Sequence, residues 1–106
     1  MIQKSHIGSF NDFNLYVYDC EELIPCFHLI KHQNHKVCIK IQQAEYIHYS
    51  EILNPKEKKH LIDFLKSKNK YFSDKTNWQV LVVQWSMNNA DFELSPETKM
   101  PDYQNL

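Results

Sequence analysis

The sequence predicts an α+β fold in which a three-stranded antiparallel sheet packs against two helices. Short runs rich in aromatic and β-branched residues occupy the first half of the chain, and such runs are typical of strands. Two segments in the second half begin with capping boxes, which mark helix starts. The last segment, 90–106, contains two prolines and no apolar periodicity. We therefore expect it to be an extended tail on the surface of a single domain.

The three predicted strands lie at about 13–19, 25–32 and 36–43. The first is a run of aromatic and β-branched residues, and the second begins at a proline, which a strand tolerates at its first residue. The third alternates apolar and polar residues, which indicates one buried face. A hairpin turn at Asn34 fits between the second and third strands because Asn accepts positive φ.

The two predicted helices lie at about 55–68 and 77–88. The first has Asn54 as its cap and Glu57 at the third helical position. The second has Thr76 and Gln79 in the same relation, and its apolar residues, two tryptophans among them, recur at helical spacing. Its valines also favour a strand, but the capping box decides for a helix.

The register of the second hairpin decides where His28 lies. If Phe27 and Leu29 face Ile39 and Ile41, the numbers of paired residues sum to 68 and the loop has an odd length. A two-residue turn would instead place His28 in the core, because a slip of one residue reverses both faces of a strand. We favour the odd loop, which directs His28 outward with a pKa near the ordinary 6.5.

The composition excludes several function classes. All 12 basic residues are lysines, so the bidentate arginine contacts that read DNA sequence are absent. The net charge of −1 argues against a polyanion binder that depends on bulk charge, and the single glycine excludes Gly-rich phosphate loops. We find neither a leader nor a membrane span. We therefore expect a cytoplasmic protein with three cysteine thiols and no membrane partner.

The charges are unevenly distributed along the chain. Residues 56–75 contain seven lysines against three acids, a net charge of +4, whereas residues 76–106 contain one lysine against four acids, a net charge of −3. We expect the basic segment to pair with the acidic tail of the same chain.

Several short motifs resemble a family of small bacterial proteins of unknown function with a Pro-His-Phe-His signature. The signature is similar to Pro25-Cys26-Phe27-His28, where Cys26 replaces the first histidine. The other motifs follow in the same order: Ala44-Glu45-Tyr46, Leu53-Asn54-x-Lys56-Glu57, Asn77-Trp78, Trp85-x-x-Asn88-Asn89 and Met100-Pro101-Asp102-Tyr103. The resemblance implies an α+β fold. It also implies a bacterial or mobile-element protein that belongs to a toxin–antitoxin or phage–host conflict system.

These observations favour a small binding domain over an enzyme. The outward sheet face would carry Cys26, His28, Cys38 and, from the first strand, either Tyr16 and Tyr18 or Leu15 and Val17. A face of Tyr, His and Cys is suited to a protein or small-molecule partner. Together with a tail residue from the resemblance, the candidate binding residues are Tyr16, Tyr18, Cys26, His28 and Tyr103. No pair of nucleophile and base can be named, so we predict no catalytic residue.

The alternative hypothesis is a metal- or thiol-dependent enzyme centred on Cys26 and His28. Residues two apart on a strand share a face, so His32 and a neighbouring Cys38 could join them in a zinc site. The Cys-x-His spacing differs from that of known zinc knuckles, and we therefore predict no cofactor, with zinc as the alternative.

Overall fold

The computed structural model describes residues 4–19, 24–32 and 35–106. The α+β class is confirmed: an antiparallel sheet is followed in the chain by two helices. The sheet has four strands, however, not three. They follow one another in the order of the chain, as β1 (Lys4–Phe10), β2 (Phe13–Tyr18), β3 (Cys26–Lys31) and β4 (His35–Lys40).

The strand missing from the prediction is β1, which pairs with β2 through a two-residue turn. Asn11 and Asp12 form this turn with φ of 45° and 69°. Positive φ at both central residues is the property of the tight hairpin turns whose twist matches that of the strands. A bulge between His6 and Gly8 interrupts β1, so its side chains do not follow a simple alternation along the whole strand.

The register between β3 and β4 keeps the predicted faces but not the predicted pairs. Phe27 pairs with Ile39 and Leu29 with Val37, so the paired numbers sum to 66 instead of 68. Lys31 pairs with His35, so the number of residues between them in the sequence is odd, and the first of these, His32, has a φ of 60°. The predicted turn residue Asn34 lies outside the described residues. An odd loop was expected, and the shift of two residues preserves which side chains face inward.

Helix α1 (Pro55–Lys66) ends two residues before the predicted end, and α2 (Asn77–Asn88) has the predicted bounds. Both begin with complete capping boxes. Asn54 accepts a hydrogen bond from the Glu57 backbone N–H and Thr76 accepts one from that of Gln79. The caps therefore determine where the helices start, although the valines of α2 alone favour a strand.

The core lies between the helices and one face of the sheet, and the tail completes it. The tail contains two short 3₁₀ helices, at Ala90–Phe92 and Tyr103–Asn105, where an extended segment was expected. It is held by the indole N–H of Trp78, which donates to the Thr98 carbonyl, and by the Tyr103 hydroxyl, which donates to the Ile41 carbonyl. Tyr103 is fully buried.

The expected pairing between basic and acidic segments is wrong. In the described part of the chain, no lysine of residues 56–75 forms an ion pair with an acid of residues 76–106. Lys58 contacts the tail through the backbone carbonyl of Leu106, which carries no side-chain charge. The tail is held instead by hydrogen bonds to backbone carbonyls and by the buried ring of Tyr103.

Candidate functional site: the open sheet face

One face of the sheet packs with the helices, and the other carries polar, aromatic and sulfur-containing side chains. The first face supplies the buried core residues of every strand, such as Leu15 and Leu29. The alternation of strand side chains directs their neighbours to the second face. We call this second face the open sheet face, and it comprises Lys4, His6, Asn14, Tyr16, Tyr18, Cys26, His28, Ile30, Lys36, Cys38 and Lys40.

A single row of paired residues crosses all four strands on the open sheet face. His6 pairs with Tyr16, Tyr16 with His28, and His28 with Cys38. With the usual spacing between strands, this row is about 14 Å long. Three of its four side chains are rings, and its length is that of a small organic ligand.

Ring contacts link the row to the neighbouring Tyr18. The rings of His6 and Tyr16 have centroids 5.1 Å apart, and the Tyr18 ring meets that of His28 edge-on at 4.6 Å. Lys4 places its Nζ 4.1 Å from the centroid of Tyr16, a cation–π distance. Tyr16, Tyr18 and His28 are all partly exposed, so solvent reaches ring surface in the middle of the sheet.

His28 is a neutral ring between two sulfur atoms. The Cys38 Sγ lies 3.0 Å from Nδ1, and the Cys26 Sγ lies 3.9 Å from Nε2. Burial lowers the pKa of His28 to about 4, and the nearby charge of Lys36 acts in the same direction. The expected ordinary pKa is therefore wrong, because the outward direction of His28 does not give its ring full access to water.

The pKa of Tyr18 is shifted upward, which keeps its hydroxyl neutral. Burial raises the pKa of its hydroxyl, and the nearby Tyr16 and Cys38 add to the shift. Both central rings of this face, those of Tyr18 and His28, therefore carry no charge at neutral pH. The positive charge on the face comes from Lys4 and Lys36, because Lys40, at the β4 margin, forms an ion pair with Glu45.

The structure brings together four of the five predicted binding residues. Tyr16, Tyr18, Cys26 and His28 share the open sheet face. Tyr103 is in the core on the opposite side of the sheet, where its ring meets that of Phe27 edge-on at a centroid distance of 5.8 Å. Burial raises the pKa of its hydroxyl, which hydrogen-bonds the backbone. Tyr103 is therefore a core residue and does not contribute to the open sheet face.

The four residues of the alternative zinc site are not brought together. Cys26, His28 and Cys38 are neighbours, but His32 lies four residues after His28, beyond the end of β3 at Lys31, and its backbone has left the strand with φ of 60°. The two sulfurs approach different nitrogens of the His28 ring. A single zinc ion would bind only one ring nitrogen, so both sulfurs would have to lie near that same nitrogen. Among residues 4–19, 24–32 and 35–106, no three potential ligands are grouped for a metal ion.

The sequence analysis missed the β1 contribution to this face. On β1, His6 extends the row, Lys4 lies over the ring of Tyr16, and Ser9 joins His6 through a hydrogen-bond cluster. Asn14 Oδ1 accepts a hydrogen bond from Ser9 Oγ at 2.6 Å and lies 3.1 Å from His6 Nε2. The signal was Asn11-Asp12 between two phenylalanines, since Asn and Asp tolerate the positive φ that a two-residue hairpin needs.

A short segment after β4 covers the outer edge of the sheet and one margin of this face. Ile47 donates its backbone N–H to the Cys38 carbonyl, and the Cys38 N–H donates to the Ser50 hydroxyl. The Ile47 side chain packs on Cys26 and Cys38. Both sulfurs are consequently buried, while the rings of Tyr16 and Tyr18 keep part of their surface in solvent.

Comparisons of the chain with protein-family models, with curated proteins and with solved structures find no match. In the described part of the chain, no helix has both the length and the apolar character needed to cross a membrane.

Proposed function

We propose that the protein is a binding domain whose open sheet face takes a small planar ligand that carries a negative charge. The observation that supports this most is the row His6–Tyr16–His28–Cys38, which presents rings across the sheet. Aromatic side chains with exposed ring surface bind flat ligands by stacking and edge contacts. Helices and tail cover the other face, so the rings are available only here.

The charge distribution on this face supports an anionic group on the ligand. Lys4 lies against Tyr16 at the β1 margin of this face, and Lys36 acts on His28 from β4 at the opposite margin of the same face. In the described residues neither lysine forms an ion pair with a carboxylate. Because the central rings are neutral, a ligand would meet apolar surface in the middle and positive charge at the end of the row.

The hypothesis of an enzyme centred on Cys26 and His28 has less support. Its one favourable observation is the 3.0 Å contact between Cys38 and His28, since a base beside a thiol can activate a nucleophile. Both sulfurs are buried under Ile47, however, and a nucleophile must reach its substrate. The context implied by the family resemblance, a toxin–antitoxin or phage-conflict system, stays a prediction.

The test is a calorimetric titration of the full chain with whole and partial ligands. Adenosine monophosphate and benzoate each combine a planar ring with a negative group, whereas adenosine lacks the charge and inorganic phosphate lacks the ring. We expect saturable binding of adenosine monophosphate or benzoate with a dissociation constant of about 1 mM or tighter. Adenosine and phosphate should each bind at least about tenfold more weakly.

Two single-residue variants test whether the ligand binds on the open sheet face. Tyr16→Ala removes a ring from the row and should weaken binding of the better whole ligand at least about tenfold, a loss of about 1.4 kcal/mol. Phe92→Ala is the matched control, because Phe92 is an exposed aromatic residue in the 3₁₀ helix after α2 and is absent from the open sheet face. Equal binding by both variants, or no saturable binding of any probe, would overturn the proposal.

A further inference from the structure

The loop between α1 and α2 exposes two aromatic side chains on a fixed backbone. Tyr71 is 68% exposed and Phe72 is 49% exposed, although aromatic rings this size usually gain by burial. The buried Asn69 holds them in place, since its Oδ1 accepts hydrogen bonds from the backbone N–H groups of Tyr71 and Phe72. We call residues Lys68–Lys75 the aromatic loop.

Further bonds fix the aromatic loop to the rest of the fold. Asn69 Nδ2 donates to the Ile7 carbonyl and to Asn77 Oδ1, and the backbone of Lys68 bridges that of Thr76. The rings are therefore held outward by a braced loop and are not simply left in solvent by a flexible one. A braced exposed pair of this kind costs little entropy when it binds.

A preformed groove on the other end of α2 has complementary properties. It lies between Val83 and Met87 of the helix and Leu94 and Pro96 of the tail, with a volume of about 240 Å³. Ser86 fixes its width, because its hydroxyl accepts from the Leu94 N–H at 2.9 Å. A cavity of about 150 Å³ accepts benzene, so the groove has room for one aromatic side chain.

The charges around the two surfaces are opposite. The aromatic loop lies in the basic segment and contains Lys68, Lys70 and Lys75 against one acid, Asp74, which forms an ion pair with Lys75, so the net charge of the loop is +2. Glu93 lines the groove, and Asp91 and Glu97 lie on either side of it in the tail. In the described part of the chain, these three carboxylates form no ion pair with any lysine.

The two surfaces cannot meet within one chain. The aromatic loop is fastened to the start of α2 at Thr76, whereas the groove extends along the helix from Val82 to Met87, five to ten residues beyond its first residue. A helix rises 1.5 Å per residue, so the separation along its axis is about 8 to 15 Å. The braced loop cannot cross this distance.

From this arrangement we infer that a second copy of this chain occupies the groove, with its aromatic loop inserted between α2 and the tail. Each copy would offer its own loop to the next, which is a heterologous contact and extends head to tail instead of closing as a symmetric dimer. Opposite charges at the contact steer the encounter and make it sensitive to salt. The inference is independent of the open sheet face.

The experiment measures the mass of the full chain by sedimentation, from about 10 µM to about 1 mM protein at low and high salt. We expect assemblies larger than dimers that grow with concentration and shrink with salt. Tyr71→Ser/Phe72→Ser removes the insert and Met87→Lys places a positive charge in the groove. Each variant should weaken self-association at least about tenfold. Ile52→Ser is the control, because Ile52 is 72% exposed and belongs to neither surface.

Mixing the two variants separates this geometry from every other mode of association. The Met87→Lys chain keeps its aromatic loop, and the Tyr71→Ser/Phe72→Ser chain keeps its groove. An equimolar mixture should therefore form complexes of two chains and no larger ones. A wild-type chain that stays monomeric to about 1 mM would overturn the inference. So would a mixture that forms no complex although circular dichroism shows both variants to be folded.

Discussion

Two neighbouring rows of residues on the same strands have opposite environments. The row Leu15–Leu29–Val37 is fully buried under the helices, whereas the next row, Tyr16–His28–Cys38, lies on the open sheet face. One residue along each strand separates them. The comparison shows how a small domain can use one sheet for two tasks, since alternation supplies a packing face and a binding face from the same backbone.

The largest expected effect is on the packing face. Phe27→Ala should lower the free energy of unfolding by about 3–5 kcal/mol, because its ring is fully buried against Tyr103 and the change leaves a cavity. Urea denaturation monitored by circular dichroism measures the loss. A loss below about 1 kcal/mol would mean that this face does not carry the core, and the contrast between the rows would fail.

The next effect is the pH dependence that His28 confers. The pKa of His28 is about 4 in the folded chain and about 6.5 in the unfolded chain, so the unfolded chain takes up a proton first as pH falls. Stability should therefore decrease between about pH 6.5 and pH 4, by up to about 3 kcal/mol from this group, and the decrease should be complete below pH 4.

The measurement compares urea denaturation of the wild type with that of His28→Gln across this pH range. The variant should lack the decrease that His28 contributes, so the difference between the two curves isolates it. His48→Gln is the matched control, because His48 is an exposed histidine in the segment after β4. If His28→Gln and His48→Gln give the same pH profile, the ring of His28 is not desolvated as described.

The alternation of the two faces could be predicted from the sequence, but the pairing of the strands could not. Any register that sets Phe27 and Leu29 beside the apolar residues of β4 satisfies the hydrophobic pattern, and sums of 66 and 68 both do so. The choice depends on the connection between Lys31 and His35, where the positive φ of His32 has no clear signature in the sequence.

The sequence pattern predicts neither the β1 strand nor the burial of the two sulfurs under Ile47, and the reasons differ. The strand has a bulge at His6 and Gly8, which breaks the period of two on which strand recognition depends. Ile47 reaches Cys26 and Cys38 from an irregular segment held by single backbone hydrogen bonds to β4. Such a path follows from tertiary packing and has no local period.

The smallest expected effect on stability is on the open sheet face. Tyr16→Ala should change the free energy of unfolding by about 1 kcal/mol or less, because the ring is only partly buried and lies outside the core. Urea denaturation beside Phe27→Ala checks the difference. If the two substitutions cost equal stability, Tyr16 is a core residue and its use in binding loses its basis.

The most direct test of the two-faced sheet is an NMR titration that follows side chains of alternate residues on one strand. Benzoate or adenosine monophosphate, whichever binds more tightly, is added to the full chain while ring signals of Tyr16 and Tyr18 and methyl signals of Leu15 and Val17 are recorded. We predict that the tyrosine ring signals shift saturably while the methyl signals of their neighbours stay in place. Equal shifts on both sets, or shifts confined to the methyl groups, would contradict the assignment of binding to the open sheet face.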